Sequence, residues 1–175
     1  TQEQERYVKV HQAELVDLIL TLCRIPAPSH QEDARAAFVR DWLEGTGAKG
    51  VYIDEAKNVV FPMACDGKDS IPVFMAHTDT VFPDPTPVEP VMAEGRIHCP
   101  GVGDDTANLA LMLLIIRRLL EEGRTPPKGA LFVANSCEEG LGNLKGCRKI
   151  MEDYKGRVAC LTSFDGGLES YVDYA

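Results

Sequence analysis

Short apolar runs that alternate with helical patterns constrain the fold of this chain more than any other feature. Residues 72–76, 130–134 and 158–163 are continuous apolar runs of strand length, and helix-spaced apolar residues lie between them. Such runs are typical of strands that helices cover on both faces. The order predicts an α/β layer fold in which helices cover the strands on both faces.

The apolar periodicity also predicts the bounds of the individual elements. One helix is expected over residues 5–24, ended by Pro26 and Pro28. Ser29 and Glu32 have the spacing of a capping box, which predicts a second helix directly after Ser29. The further predicted elements are helices over 106–122 and 143–154 and strands over 50–53, 58–64, 71–76, 96–98, 130–134 and 158–163. No repeat or linker divides the chain, so we expect one domain.

Composition and charge exclude several classes of function. The 175 residues carry a formal net charge of −9, and this acid excess argues against nucleic acids and anionic membranes as partners. The longest apolar run, 109–116, is far shorter than the roughly 20 residues of a membrane span. The six cysteines form no CxxC pair, so we expect reduced thiols and a cytoplasmic protein.

Acidic and imidazole side chains follow the predicted strands or open the most apolar helix. They are His77, Asp79, Asp104, Asp105, Glu138, Glu139 and Asp165. In open α/β sheets, ligands bind at the carboxyl ends of the strands. Taken singly, each of these groups has an ordinary structural explanation, as a helix cap, a turn or a hydrogen-bonded histidine. Their joint placement at one sheet edge favours a metal site, because imidazole and carboxylate ligands suit zinc, manganese and cobalt.

The spacing within two of these clusters indicates separate roles. Residues two apart in a strand point to the same side, so Asp79 is expected to hold the ring nitrogen that His77 does not offer to a metal. The adjacent Glu138 and Glu139 point in different directions. One can therefore bind a metal while the other acts as a base, and metal-assisted hydrolysis requires both.

Other candidate residues carry weaker signals. His98 is expected to be structural, and His11 and His30 are expected at the surface or at helix caps. Cys137, paired with a histidine, offers a thiol nucleophile as an alternative enzymatic interpretation. That interpretation lacks an obvious oxyanion loop and a third orienting group.

Four ordered segments carry the candidate ligands: MAHTDTV, GVGDDTANLALMLL, SCEEGLG and SFDGG. They resemble the metal-ligand motifs of the zinc exopeptidases, a family that includes tripeptide aminopeptidase (peptidase T), glutamate carboxypeptidase, acetylornithine deacetylase and succinyl-diaminopimelate desuccinylase. The resemblance extends from the N-terminal helices to Gly167. It implies the three-layer, phosphorylase/hydrolase-like α/β fold of these zinc peptidases, in which helices pack on both faces of a central mixed, mostly parallel sheet.

Matched position by position, the resemblance implies a site for two zinc ions. His77 and Asp165 would bind one metal, Glu139 would bind the second, and Asp104 would bridge the two. Cobalt and manganese accept the same ligands. Family members also carry a cis peptide at the position of Asp104–Asp105.

The resemblance also implies a reaction. Water held between two zinc ions would attack the scissile amide carbonyl, and Glu138 as general base would pass its proton to the leaving amine. Asp79 would orient His77. Two departures concern substrate preference: Cys137 stands where the family usually has an acidic residue, and Thr106 replaces a common lysine.

The histidines depart further from the family pattern. The family's second metal takes a histidine far downstream, whereas the histidines here are His11, His30, His77 and His98. The chain, residues 1–175, is therefore expected to be the N-terminal part of a catalytic domain without its lid and dimerisation domain and its C-terminal part. It would not hydrolyse substrate alone, and the complete protein would be a homodimer through the lid.

Two functions from different classes remain open. The first is a metallo-exopeptidase for small peptides. It is favoured over an N-acyl amino acid deacylase because Asp165-Gly166-Gly167 resembles peptidase T, whereas the deacylases tend to carry Glu-Pro there. The second is a non-catalytic, metal-stabilised binding module. Glu138 and Glu139 together speak against the module, because a scaffold needs no spare carboxylate beside a ligand.

Overall fold

The computed structural model describes residues 2–166, whose strands form one five-stranded sheet and a separate two-stranded hairpin. The strands are β1 (Tyr52–Ile53), β2 (Val59–Met63), β3 (Ile71–His77), β4 (Val91–Ala93), β5 (Arg96–His98), β6 (Ala130–Asn135) and β7 (Val158–Phe164). The helices are α1 (Gln2–Val10), α2 (Gln12–Cys23), α3 (Asp33–Gly45), α4 (Ala107–Glu121) and α5 (Lys145–Asp153). A π-helical turn (Val102–Thr106) leads into α4, and a short 3₁₀ turn (Gly140–Gly142) precedes α5.

The large sheet has the strand order β1-β2-β6-β3-β7. Strands β6, β3 and β7 are mutually parallel, and β2 is antiparallel to both of its neighbours, β1 and β6. Four strands therefore point one way and β2 alone opposes them, which confirms the predicted mixed, mostly parallel sheet. The carboxyl ends of β6, β3 and β7 meet at one edge.

Alternate residues of the central strands pack into two separate hydrophobic clusters. Phe61 and Phe132 face a cluster that contains α2, α3 and α4. Val60 and Leu131 face the opposite cluster, which contains Ile150 of α5. Successive side chains of a strand point to opposite faces, so the period-two pattern places helices on both sides of the sheet. The three-layer architecture predicted from the sequence is confirmed.

The prediction of one helix over residues 5–24 is wrong, because α1 and α2 are separated at His11. His11 has φ −100° and ψ 12°, outside the helical region. Its ring stacks on Tyr7 with 4.0 Å between the centroids, and its Nδ1 lies 2.9 Å from the Tyr7 carbonyl oxygen. A side chain that competes for a helical carbonyl loosens the turn, and the apolar periodicity on either side of His11 does not reveal this.

The predicted capping box after Pro28 is also wrong. Helix α3 begins only at Asp33, and His30 before it has a left-handed backbone with φ 74°. The Ser29 hydroxyl donates to the carboxylate of Asp79 at 2.7 Å, and Glu32 accepts the N–H of His30 instead of that of Ser29. Both side chains are thus recruited by partners that the local pattern does not contain.

Strand β7 departs from the expected burial on both faces. Within the described residues it is an edge strand, exposed along nearly its whole length. Leu161 and Phe164 are each 37% exposed, although the Phe164 ring still stacks on Phe74 of β3 with 6.3 Å between the centroids. The apolar run correctly predicted a strand, but the described chain supplies no layer that covers it. None of the described helices is both long and apolar enough to cross a membrane.

Candidate metal centre

The sheet register brings the ends of three strands together. His77 ends β3 and pairs with Asn135 at the end of β6, while Ala76 pairs with Phe164 at the end of β7. The segments that follow these strands carry Asp79, Glu138, Glu139 and Asp165. Because parallel neighbours end at the same edge, these segments leave the sheet side by side, as the sequence predicts.

Two overlapping groups of side chains could hold a metal ion. One consists of His77, Asp104 and Glu139, the other of His77, Glu138 and Asp165, and in each group the ligand atoms lie within 4.8 Å of one another. His77 belongs to both groups. The structure thus brings together all four predicted ligands, and it places the predicted base, Glu138, among them.

The orientation of His77 suits a metal ligand. Its side chain is 1% exposed, and its Nδ1 lies 2.9 Å from the main-chain carbonyl oxygen of Asp79. A carbonyl oxygen only accepts, so Nδ1 carries a proton, and Nε2 is the ring nitrogen that can bind a metal once its own proton is displaced. Nε2 lies 3.0 Å from Oδ1 of Asp104 and 4.0 Å from Oδ1 of Asp165. An imidazole nitrogen among carboxylate oxygens is a donor set that zinc, manganese or cobalt accepts.

The Asp79 carboxylate lies near the His77 ring, as expected, but the main chain of Asp79 comes closer to that ring. The carboxylate Oδ1 is 3.5 Å from Nδ1 of His77, and the shorter contact to the ring is made by the main-chain carbonyl. The carboxylate instead accepts the main-chain N–H groups of Glu138 at 2.9 Å and Glu139 at 3.1 Å. Because β3 ends at His77, the alternation of a strand no longer applies to Asp79. It orients His77 through its backbone and the two glutamates through its side chain.

In the turn that carries Asp104, the backbone of Gly101 lies close against the side chain of Thr80. Gly101 has φ 69°, and a Cβ there would collide with the side chain of Thr80. The Asp104–Asp105 peptide is cis, in agreement with the resemblance. The buried Asp105 carboxylate accepts the N–H of His77 at 2.8 Å, so the residue next to Asp104 fixes the end of β3.

Several acidic side chains lie close together in the site, and burial and mutual repulsion raise the pKa values of Glu138 and Asp105. Burial raises the pKa of Glu138, and the charges of Asp165 and Glu139 raise it further against the opposing effect of His77. Burial likewise raises the pKa of Asp105 to about 7. Burial alone lowers the pKa of His77, but its contacts with Asp79 and the charge of Asp105 outweigh this and raise it to about 10. A divalent cation at this position relieves the repulsion between carboxylates.

Sequence reasoning missed Arg35, which lies beneath the site. Its guanidinium is 2% exposed and donates to the carbonyl oxygens of Leu22, Ile25 and Thr78 at 3.0, 2.5 and 2.9 Å. It therefore ties the end of α2 to the segment that carries Asp79. Burial lowers the pKa of Arg35 to about 10. One feature of the sequence could have indicated that Arg35 is buried. It lies on the apolar face of α3, four residues before the buried Val39.

The weaker candidates stay outside both ligand groups. His98 is exposed on β5, and His30 is exposed beside Cys137, with its Nδ1 3.3 Å from the Cys137 Sγ. Burial, together with the hydrogen bond to Glu32, raises the pKa of the Cys137 thiol to about 11. An activated thiol has a lowered pKa, so the thiol-nucleophile alternative finds no support. Gly167 of the DGG motif lies outside the described residues.

Comparison with known proteins agrees with this geometry. The sequence profile of Peptidase family M20/M25/M40 matches residues 73–173. The chain is 32% identical over 141 residues to the [LysW]-lysine hydrolase of Deinococcus radiodurans, a match that covers 79% of this chain and 36% of that protein.

Solved structures of similar fold include two bacterial peptidases. Aminopeptidase PepT from Bacillus cereus superposes with a TM-score of 0.68 at 24% identity, covering 89% of this chain and 43% of that one. The YXEP protein of Bacillus subtilis, described as a dinuclear metal binding peptidase from the M20 family, superposes with a TM-score of 0.63 at 19% identity, covering 90% and 44%. The chain thus spans less than half the length of these relatives. The profile match over more than half of the sequence shows that the chain belongs to peptidase family M20/M25/M40.

Proposed function

We propose that this chain carries most of the metal-binding site of a metal-dependent amide hydrolase that acts on small peptides as an exopeptidase. The observation that carries the proposal is the convergence of three candidate carboxylate ligands on His77, with Glu138 beside them as a further carboxylate. A structural metal site needs no such group. A site that performs hydrolysis needs a base next to the metal.

The residues that fit a metal are His77, Asp104, Glu139 and Asp165, with zinc as the proposed ion and two ions in the complete protein. A bound divalent ion supplies Lewis acidity, which polarises a carbonyl group and acidifies water. The main-chain carbonyl of Asp79 keeps the His77 ring in the orientation that turns Nε2 toward Asp104 and Asp165. The Asp79 carboxylate holds the backbone from which Glu138 and Glu139 project.

Glu138 is the proposed general base and acid. Water adds to the carbonyl carbon of the scissile amide while Glu138 accepts its proton, and the proton passes to the nitrogen as the C–N bond breaks. Burial and neighbouring negative charge raise the pKa of Glu138. A raised pKa brings a carboxylate closer to neutral pH, where it both accepts and returns a proton efficiently.

Peptides are the preferred substrate class because Asp165 is followed by glycine, as in peptidase T, and because the similar B. cereus structure is an aminopeptidase. A second candidate is hydrolysis of an acylated amino acid. It is favoured by the 32% identity to a relative named for the hydrolysis of [LysW]-lysine. Both candidates use the same site and differ in the pocket that recognises substrate. The complete protein is proposed to act as a homodimer.

The test compares the wild-type complete protein with Glu138→Gln, each loaded with zinc, on a tripeptide, a dipeptide and an N-acetyl amino acid. We expect metal-dependent hydrolysis by wild type, fastest on peptides, and a loss of kcat of about 10²- to 10⁴-fold in the variant with its metal retained. Absence of hydrolysis by the zinc-loaded wild type would instead favour the metal-stabilised binding module. Full activity in the variant would remove Glu138 from the reaction.

A further inference from the structure

Three consecutive main-chain N–H groups beside the site donate to buried carboxylates. The N–H of Cys137 donates to Glu32 at 3.1 Å, and those of Glu138 and Glu139 donate to Asp79 at 2.9 and 3.1 Å. We call residues 137–139 the glutamate segment. Hydrogen bonds to ionised acceptors are stronger than those between neutral groups. The path of the glutamate segment is therefore fixed by two side chains distant in sequence.

The same two carboxylates also bind the loop before α3. The Ser29 hydroxyl donates to Asp79 at 2.7 Å, and the N–H of His30 donates to Glu32 at 2.9 Å. Glu32 and Asp79 thus join this loop to the glutamate segment. Asp79 also contacts His77 directly. Glu32 is bound to Cys137, the residue before the two glutamates, and has no contact with the candidate ligand atoms.

The carboxylate of Glu32, at the N-terminus of α3, is completely buried. The Glu32 side chain is 0% exposed, and Oε1 accepts a third hydrogen bond, from the thiol of Cys137 at 3.1 Å. Oε2 lies 3.9 Å from the ammonium of Lys57 and has no hydrogen bond within the described part of the chain. A buried carboxylate with one distant countercharge is costly for stability, which points to a role in the site.

Cys137 adopts a left-handed backbone conformation, with φ 51°. Few residues other than glycine adopt it, because the Cβ is crowded there. The N–H and the thiol of Cys137 both donate to the same oxygen of Glu32. The conformation of Cys137 sets the direction in which the chain continues, and so the direction in which Glu138 and Glu139 project.

We propose that Glu32 is a positioning residue of the metal centre: by holding Cys137 in its left-handed conformation, it aims Glu138 and Glu139 at His77. The effect on turnover rests on the proposed hydrolase function, whereas the effect on the backbone and on the metal does not. Glu32 acts through the glutamate segment, and in the described chain it makes no hydrogen bond or ion pair with the candidate ligand atoms.

The test compares Glu32→Ala, Glu32→Gln and Glu32→Asp in the complete protein. The alanine removes the acceptor, and the glutamine keeps an acceptor oxygen without the charge. The aspartate withdraws the carboxylate by about 1.5 Å. Asp33→Asn is the matched control, because exposed Asp33 shares the Lys57 contact but makes no contact with the glutamate segment. The measurements are kcat and KM, zinc affinity by chelator competition, and amide hydrogen exchange of residues 137–139 and of β6.

We expect Glu32→Ala to lower kcat about 30-fold with KM nearly unchanged, because a misplaced catalytic group affects the chemical step more than binding. Exchange should accelerate at residues 137–139 and stay unchanged in β6. Glu32→Gln should recover most of the activity, and Asp33→Asn should match wild type. If Glu32→Ala does not fold, Glu32→Asp is expected to show the same selective pattern and decides the proposal.

Unchanged exchange at residues 137–139 overturns the proposal, as does an acceleration that spreads equally through β6 or a failure of Glu32→Gln to recover kcat. If zinc-loaded wild type shows no hydrolysis at all, the proposed function fails. The positioning role of Glu32 is then tested by zinc affinity instead of kcat. In that case the positioning role predicts an affinity about tenfold lower in Glu32→Ala, but not in Glu32→Gln or Asp33→Asn. Equal zinc affinity in all of these variants overturns it.

Discussion

Nε2 of His77 lies 3.0 Å from Oδ1 of Asp104, although the two residues belong to different elements, the end of β3 and the π-helical turn before α4. The buried Asp105 closes the arrangement from the other side by accepting the N–H of His77 at 2.8 Å. Adjacent aspartates thus contact one histidine at its ring and at its backbone. This pairing places an imidazole nitrogen among carboxylate oxygens, at a position where a divalent cation can replace the proton of Nε2.

Metal affinity is predicted to rise with pH. The contacts with Asp79, the charge of Asp105 and the contact with Asp104 outweigh the effect of burial and raise the pKa of His77 to about 10 in the metal-free protein. A metal must therefore displace a proton from the ring throughout the range from about pH 6 to 8. We expect the apparent affinity to rise about tenfold per pH unit over this range and about one proton to be released per ion bound at His77.

Isothermal titration calorimetry in two buffers of different ionisation enthalpy measures this proton release. Equal heats in both buffers would mean that His77 is already neutral in the free protein, which would contradict its raised pKa.

Arg35 is predicted to be essential for stability although it forms no ion pair with a carboxylate in the described chain. Replacing it with methionine removes the side-chain donors of the Ile25 and Thr78 carbonyl oxygens, and it leaves the Leu22 carbonyl with its main-chain donor, the N–H of Ile25. We expect Arg35→Met to lower the free energy of unfolding by about 3 kcal/mol, since each buried unsatisfied group costs on the order of 1–3 kcal/mol.

Urea unfolding measures the effect, and Arg40→Met on the same helix is the control. Arg40 pairs with Asp41 at the surface, so its loss should change the unfolding free energy by less than about 1 kcal/mol. Equal effects of the two substitutions would show that the Arg35 hydrogen bonds contribute little.

Gly101 is predicted to be required for the position of Asp104. Gly101→Ala introduces a Cβ that collides with the side chain of Thr80 in a backbone with φ 69°, so either that side chain or the turn must shift. Gly95→Ala is the control, because Gly95 has a similar φ of 73° but open space around its Cα. Both variants carry the cost of a positive φ, of order 1 kcal/mol.

Only Gly101→Ala is expected to weaken zinc binding, by about tenfold. Chelator competition on the two purified variants makes this comparison. Equal zinc affinity in both would mean that the turn tolerates the methyl group without moving Asp104.

The sequence predicted those features that depend on local pattern and on parallel strand order. The ends of β3, β6 and β7 lie where the apolar runs end, and the residues after them meet because parallel neighbours share an edge. His77, Asp104, Glu139 and Asp165 therefore come together as expected. Their roles as ligands, and those of Glu138 and Asp79 in catalysis, stay predictions.

The features that sequence could not predict depend on contacts between distant residues. Ser29 and Glu32 look like a helix cap, yet they bind Asp79 and Cys137, which lie 50 and 105 residues further along the chain. Arg35 looks like a surface residue by type, but the carbonyl oxygens at the end of α2 hold it inside. Local propensity carries no information about such partners.

Metal stoichiometry tests the central claim most directly, because His77 belongs to both candidate ligand groups. Elemental analysis of the purified chain after exposure to zinc and gel filtration would compare wild type, His77→Ala and His98→Ala. The exposed His98 lies outside both groups and serves as the control. We predict at least about one zinc ion per chain in wild type and in His98→Ala, and none in His77→Ala. Zinc retained at the wild-type level by His77→Ala, or no zinc bound by wild type, would contradict the account.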